Sequence, residues 1–432
     1  MSMAFGGGTF LAQNRGLPGT YINFVSVASG VVSQADRGYA AMALPLPWGT
    51  CGEMLTVTGE DLIRRSRSLF GREYTHPDLR PLRELFLGAK VIYLFRLGAG
   101  GNRASCALGT ALHPGSLGNE IVLVVTDLAG KFGVETMLDG NRVDYQVVLS
   151  AQELRDNDFV RFDQESVLIP TAGLPMTGGS DGTPSTDEYS RFLDLSEGYA
   201  FNALGCLTED ESVKAMFARH TKRMREEAGV KFQCVLYRYT QADHEGIISV
   251  QNACDEVESG LVYWVTGMTA GCAVNRSITN RRYTGEFTVD TAYTKSELEN
   301  MLRGGSFLLY GTGRDLRVVE DVNTLVTFTP EKSADFSLNQ TVRVIDQVAV
   351  DIAALFASRY MGVIPNDRAG RLSLWGDIVS HHRNLETIRA IEDFEPQDVT
   401  VEAGESKRSV VVTDRITPVC AMSQLYMTVV VQ

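Results

Sequence analysis

The sequence predicts an α/β core domain with an inserted small β-sandwich, followed by a C-terminal α+β domain. Three observations point there. Between Gly98 and Gly182, short β-prone runs follow one another with almost no helical period. On either side of that stretch, β runs alternate with amphipathic helices. Glycine-rich segments, Gly98-Ala99-Gly100-Gly101-Asn102 and Thr177-Gly178-Gly179-Ser180-Asp181-Gly182, stand at both junctions. Flexible joints at the two ends of a stretch of different character mark an insertion into a host. A chain of 432 residues exceeds what one hydrophobic core serves, so two or three domains are expected.

Residues 36 to 50 read as a loop, because Pro45 and Pro47 exclude a regular helix or a central strand. A helix is expected near Glu60 to Leu69, a second one opening at Pro81, and a buried strand over Lys90 to Leu97. The insert offers strands at Ile121 to Thr126, Val134 to Leu138, Val143 to Leu149, Phe159 to Phe162 and Val167 to Ile169. Asp139-Gly140-Asn141 forms a hairpin turn between the second and third. Beyond the exit, Thr186 caps a helix to Ser196 and Tyr199 to Leu204 reads as a strand. Glu209 to Ala228 places Val213, Met216, Phe217, His220 and Met224 on one helical face. A strand at Phe232 to Tyr237, an apolar helix at Gly260 to Val274 and a strand at Phe307 to Tyr310 complete a β-α-β order, for which a mostly parallel sheet is the economical solution. Helices at Gln340 to Tyr360 and Leu372 to Ala390, then strands at Val399 to Val401 and Val410 to Thr413, form the closing domain.

The two ends stand apart. From Val419 to Gln432 the pattern has period two: Val419, Ala421, Leu425, Met427, Val429 and Val431 share one face, while Gln424, Tyr426, Thr428 and Gln432 share the other. Such a strand either folds back as an edge of its own sheet or leaves to complete a neighbour's, and the first is the ordinary outcome. At the other end, Met1 to Arg15 is rich in glycine and small residues. A Pro18-Gly19 break and the β-prone Tyr21-Ile22-Asn23-Phe24-Val25 come next.

Composition narrows the function. With 53 acidic against 40 basic residues the net charge is −13, which argues against wrapping nucleic acid. No run approaches the roughly 18 apolar residues of a membrane span, and no secretory signal opens the chain. Seven cysteines without a Cys-x-x-Cys pair fit free thiols in a reducing compartment. No catalytic, cofactor-binding or metal-ligating set emerges. Gly311-Thr312-Gly313-Arg314 lacks both nucleotide fingerprints and reads as a turn. The adjacent His381-His382 cannot present both rings on one helix face to a metal, and an exposed or interfacial pair is expected. His113 and His244 fall in loops, His220 faces a core, and Gly115-Ser116-Leu117-Gly118-Asn119 lacks nucleophile-elbow spacing.

Several stretches, in shared order and spacing, resemble one family. They are the glycine-rich start with Leu17-Pro18-Gly19-Thr20-Tyr21-Ile22, and Ala43-Leu44-Pro45-Leu46-Pro47-Trp48-Gly49. Within and after the insert come Gly115-Ser116-Leu117-Gly118-Asn119-Glu120-Ile121 and Leu174-Pro175-Met176-Thr177-Gly178-Gly179-Ser180-Asp181-Gly182. The last are Glu392-Asp393-Phe394, Asp398-Val399-Thr400-Val401 and Ala421-Met422-Ser423-Gln424-Leu425-Tyr426-Met427-Thr428-Val429. Together they are similar to contractile-tail sheath proteins of myophages, PBSX-type prophages and diffocin-like bacteriocins. The resemblance implies a structural, non-enzymatic subunit without cofactors that polymerises helically in stacked hexameric rings around a tail tube. Its other partners would be baseplate and terminator or collar proteins, with no direct nucleic acid and no membrane insertion. It would be assembled in the bacterial cytoplasm and carried in a virion or bacteriocin particle.

The resemblance also reverses the ordinary reading of the ends, implying that both arms build a shared sheet on neighbouring copies. The implied inter-subunit residues are Pro18, Gly19, Tyr21, Ile22 and Phe24 in the first arm, and Leu425, Tyr426, Met427, Val429 and Val431 in the second, with hinges near Val25 to Ser33 and Pro418 to Met422. The expected division is an arm at 1–25, a discontinuous core at 26–97 and 183–339, the insert at 98–182, a tube-facing domain at 340–418 and an arm at 419–432. Two rival readings are a cytoplasmic α/β enzyme with an inserted β domain, and another virion component such as a tube or baseplate protein.

Overall fold

The computed structural model describes residues 37–431. They form two compact units, one of residues 41–83 and 91–197, the other of 37–40, 84–90 and 198–431. The first-arm residues Pro18, Gly19, Tyr21, Ile22 and Phe24 lie outside the described residues.

The first unit opens in β1 (Tyr39–Pro45), where a loop was expected. Ala40, Ala41, Met42, Ala43 and Leu44 are all buried, and Pro45 comes last in the strand, where its missing N–H costs little. Then follow β2 (Met54–Thr58), α1 (Gly59–Arg64), α2 (Ser66–Phe70), α3 (Arg80–Phe86) and β3 (Val91–Leu97). β2 and β3 pair antiparallel from Met54↔Phe95 to Thr58↔Val91. Arg96, buried near the end of β3, donates to the carbonyls of Leu46 at 2.7 Å, Gly49 at 2.6 Å and Pro114 at 2.8 Å. One guanidinium thereby orders the Pro-Leu-Pro-Trp-Gly segment that carries no ladder of its own.

The insert contributes β4 (Ser105–Cys106), β5 (Gly109–Ala111), β6 (Ile121–Asp127), β7 (Phe132–Leu138), β8 (Asn141–Val148), β9 (Val160–Phe162) and β10 (Thr171–Pro175). They make an antiparallel sheet of order β10-β6-β7-β8 and a smaller one of order β4-β5-β9. Leu123, Val125 and Val134 from the first share a core with Ala111, Val160 and Phe162 from the second, and Trp48 joins it. The turn at Asp139-Gly140 has both residues at positive φ, as a tight hairpin needs. Val167 to Ile169 is not a strand: only Leu168 turns inward, and pairing begins at Thr171↔Val125. The glycine joints serve close approach. The Gly98 and Gly182 backbones touch so tightly that neither accepts a Cβ, and Asn102 pairs with Ser180 across the entrance. α4 (Thr186–Ser196) closes the unit, capped by Ser185 rather than Thr186 and with Glu188 completing the capping box.

The second unit holds β11 (Ala203–Cys206), α5 (Glu211–Arg223), β12 (Gln233–Tyr237), β13 (Ile247–Val250), α6 (Leu261–Gly271), α7 (Lys295–Arg303) and β14 (Ser306–Phe307). β11, β12, β13 and β14 pair in that order, all parallel. Neither β13 nor α7 was expected. β13 is four residues long, and α7, although its Leu298, Met301 and Leu302 fall on one face behind a Thr294–Glu297 capping box, buries no residue fully. The run Phe307 to Tyr310 is shared between β14 and β15 (Leu309–Gly311), which turns antiparallel to β16 (Leu316–Val318). Gly311 to Arg314 spans that hairpin turn, with Thr312 N–H donating to Asp315 O at 2.8 Å.

α8 (Asn339–Leu355) and α9 (Arg368–Thr387) lead to β17 (Ile391–Glu392), β18 (Val399–Ala403), β19 (Val410–Asp414) and β20 (Thr417–Pro418). Val344, Val348, Leu374, Ile378, Leu385, Ile391, Phe394, Val399 and Ile416 form one core beneath them. α8 is tied to the parallel sheet by buried charge. Arg225, in the π-helical turn after α5, donates to both Asp346 carboxylate oxygens at 2.6 and 2.8 Å, and Arg343 reaches Asp321 at 3.0 Å.

Candidate assembly interface

After β20 pairs with β17 (Ile391↔Pro418), the chain turns outward. Val419 N–H donates to Ala390 O at 3.0 Å. Gln340, in the first turn of α8, donates from Nε2 to Val419 O at 2.9 Å and accepts Ala421 N–H on Oε1 at 2.9 Å. Thr341 Oγ1 lies 3.4 Å from Cys420 Sγ. Beyond Ala421 the segment has no strand partner among the described residues and reaches back to the body with no hydrogen bond; Tyr426 Oη bonds only to Gln424 within the segment. Leu425, Tyr426, Met427, Val429 and Val431 are 86, 88, 73, 69 and 89% exposed. An alternating apolar run in water is the opposite of where the hydrophobic effect places it in a finished subunit.

Close by, β18 and β19 form a two-stranded hairpin in full register from Val399↔Asp414 to Ala403↔Val410. Among the described residues neither outer edge is paired. Two strands alone are marginal, and this pair is held by α9, whose Trp375 Nε1 donates to Val399 O at 3.0 Å. His382 Nε2 faces Asp414 Oδ1 at 2.9 Å, and His381 Nε2 faces Asp351 Oδ2 at 3.2 Å. Both histidines are buried within the subunit, which corrects the expected exposed or interfacial pair. α9 is covered on two sides, and each ring finds an acid on a different element. Burial pushes both imidazoles well below their ordinary value, which favours the neutral rings, and pushes the Asp414 carboxyl up.

At the other end of the described chain, Arg37 donates to Cys272 O at 2.8 Å and Thr269 O at 3.1 Å, covering carbonyls at the C-terminus of α6. Burial and the nearby Arg343 hold its guanidinium down to about 10. Gly38 and Tyr39 N–H both donate to Asn202 Oδ1.

The other candidates are structural. His244 is buried, accepts Gly246 N–H on Nδ1 at 2.9 Å and faces Glu226 at 3.0 Å. His220 lies in the core beside Phe232, and His113 packs edge-on to Trp48 with ring centroids 5.1 Å apart. Four thiols are buried, and Cys420 is exposed at the exit of the last segment. Among the described residues, no three His, Cys, Asp or Glu side chains gather in a way that could hold a metal. No described helix is long and apolar enough to cross a membrane. Sequence reasoning missed Gln340, because a glutamine opening a helix carries no signal until its partner 79 residues away is known.

Comparison with known proteins agrees with the geometry. Family models match for the phage tail sheath protein central domain over residues 182–324, the phage tail sheath C-terminal domain over 331–432, and the tail sheath protein Gp18 domain III N-terminal region over 37–97. The phage-like element PBSX protein XkdK of Bacillus subtilis (strain 168) is 30% identical, the alignment covering 98% of this chain and 99% of that protein. The solved sheath tail protein of Desulfitobacterium hafniense is 32% identical with a TM-score of 0.82, over 93% of this chain and 96% of that one. The sheath tail protein of Listeria innocua is 29% identical with a TM-score of 0.76, over 90% and 94%. Family models over most of the chain, together with relatives of this likeness along nearly its full length, show that the chain belongs to the phage tail sheath protein family.

Proposed function

We propose that the chain polymerises helically, in stacked hexameric rings, around a rigid tail tube, and that contraction of this sheath drives the tube through a target cell envelope. The observation that carries the reading is the exposed segment 422–431, whose sequence alternates as a strand's does but which pairs with none of the described residues. The β18–β19 hairpin, with two open edges, is the acceptor on the next copy, and the segment's main chain supplies the ladder while Leu425, Met427, Val429 and Val431 set its register. A head-to-tail contact of this kind does not close on itself, so it propagates as a filament. The first arm, with Pro18, Gly19, Tyr21, Ile22 and Phe24, joins the same shared sheet from another copy.

In this reading the functional division is a discontinuous core at 26–97 and 183–339, a β-sandwich insert at 98–182, and a tube-facing domain at 340–418, with arms at 1–25 and 419–432. The tube, baseplate and collar proteins are its partners, in a virion or bacteriocin particle assembled in the bacterial cytoplasm. Contraction lowers the free energy by bringing subunit bodies into larger mutual contact, without nucleotide turnover and without a catalytic role for the chain. Removal of residues 425–432 tests the assembly step: the variant is expected to stay a folded monomer by sedimentation and to form no tubes by negative-stain microscopy. Tubes of ordinary length from that variant would refute strand donation.

A further inference from the structure

We propose that Gln340 is the clamp that fixes where and in which direction the C-terminal arm leaves the subunit, so that tension on the arm enters the body through the first turn of α8. The inference deepens the strand-donation reading and rests on it for its mechanical meaning, though the clamp itself belongs to the single subunit.

Gln340 is only 4% exposed, and both ends of its amide are used by one short stretch of backbone, Nε2 by Val419 O and Oε1 by Ala421 N–H, each at 2.9 Å. A side-chain amide spanning two residues of an extended segment imitates one rung of a β-ladder, and it fixes the segment's rotation as well as its position. Ala390 O holds Val419 N–H on the other side, and Thr341 touches Cys420, so three consecutive arm residues are gripped. From Met422, itself fully exposed, the grip ends. The hinge therefore begins at Met422, at the far edge of the stretch from Pro418 that the sequence had offered.

The neighbours of Gln340 continue the connection inward. Asn339 Nδ2 donates to Asp321 Oδ1 at 2.9 Å and to Val322 O at 2.8 Å, and its Oδ1 accepts from Gln233 Nε2, on the first residue of β12, at 2.7 Å. Arg343, one turn on, holds Asp321 and the Arg276 carbonyl. Arm, helix turn and central sheet are thus joined by buried, hydrogen-bonded polar groups. These resist sliding because a broken partner inside the protein stays unsatisfied. An apolar contact would stabilise the same place without fixing its register.

The test uses the full-length, unassembled chain. In Gln340→Leu, exchange of the Ala421 amide, read by hydrogen–deuterium exchange mass spectrometry, is expected to rise roughly 10–100-fold, as loss of two neutral hydrogen bonds implies. Maleimide modification of Cys420 rises with it. Gln340→Glu, which still accepts Ala421 N–H but cannot donate to Val419 O, falls between. Ala421→Pro removes the donor from the arm side and leaves the body's sequence intact, so it gives the same rise in Cys420 reactivity even where Gln340→Leu misfolds. Unchanged Ala421 exchange in Gln340→Leu, or unchanged Cys420 reactivity in Ala421→Pro, overturns the clamp whatever the chain assembles into. Tubes from the variant lacking 425–432 overturn strand donation and leave the clamp result standing. If both hold, Gln340→Leu sheaths triggered with urea fragment where wild-type sheaths shorten intact. Intact shortening of the variant would remove the clamp's part in carrying tension.

Discussion

Arg225 and Asp346 meet as a bidentate pair in which both side chains are almost wholly buried. Removing one partner leaves a charge in the interior, so Asp346→Leu alone is expected to cost about 3–5 kcal/mol in chemical denaturation. The double change Arg225→Met with Asp346→Leu is expected to recover most of that. An additive double variant would mean the pair is not coupled. His113 gives a pH signature in the other unit. Burial against Trp48, then repulsion from Arg96 and Arg103, lowers its imidazole from 6.5 to about 4. Between those values the unfolded chain binds a proton that the folded one refuses, so stability falls as the pH drops through this window. The melting temperature of wild type should fall more between pH 7 and 5 than that of His113→Gln. Equal slopes would assign the acid sensitivity elsewhere. Single residues were the least legible part of the sequence. His381-His382 was readable as a pair that cannot share a metal, but Asp351 and Asp414 are 30 and 32 residues away, and only folding brings them together.

Elements were legible where a run was long enough for its period or its apolar composition to show. α5 and α8 carry apolar residues at helical spacing over more than three turns, and their residues were placed within a few positions. β13 is too short to show a period, whereas α7 carried readable signals, the Thr294–Glu297 capping box and Leu298, Met301 and Leu302 on one face, that the sequence reading passed over. β1 was hidden by the prolines behind it, although Pro45 only ends the strand. α6 is buried from Leu261 to Ala270 and packs backbone to backbone on the Leu85–Gly88 segment: a Cβ at Gly267 would run into Leu85 O, and one at Gly271 into Gly88 O. Gly267→Ala is therefore expected to abolish soluble folded protein. Gly376→Ala in α9 meets no atom within 4 Å and should raise stability by up to about 1 kcal/mol through helix propensity. Urea denaturation and soluble yield check both; a folded, fully stable Gly267→Ala would show that the close helix approach tolerates displacement.

At the scale of the molecule, the alternation of the last segment is written in the sequence, but its destination is not. Period two states that one face seeks burial and is silent about whose sheet provides it. Among the described residues, Val419 to Ala421 are held by the body, 422–431 are exposed, and neither outer edge of the β18–β19 hairpin is paired, which is what the strand-donation proposal rests on. In the proposed sheath each subunit is stable as a body and completed by its neighbours. Hydrogen–deuterium exchange over residues 422–431, compared between the unassembled chain and assembled tubes, tests that directly. Near-random-coil exchange in the free chain and at least about hundredfold protection in tubes is the expected result, as for a segment that acquires a full ladder only from another copy. Protection already present in the free chain, or exchange in tubes as fast as in free solution, would contradict it.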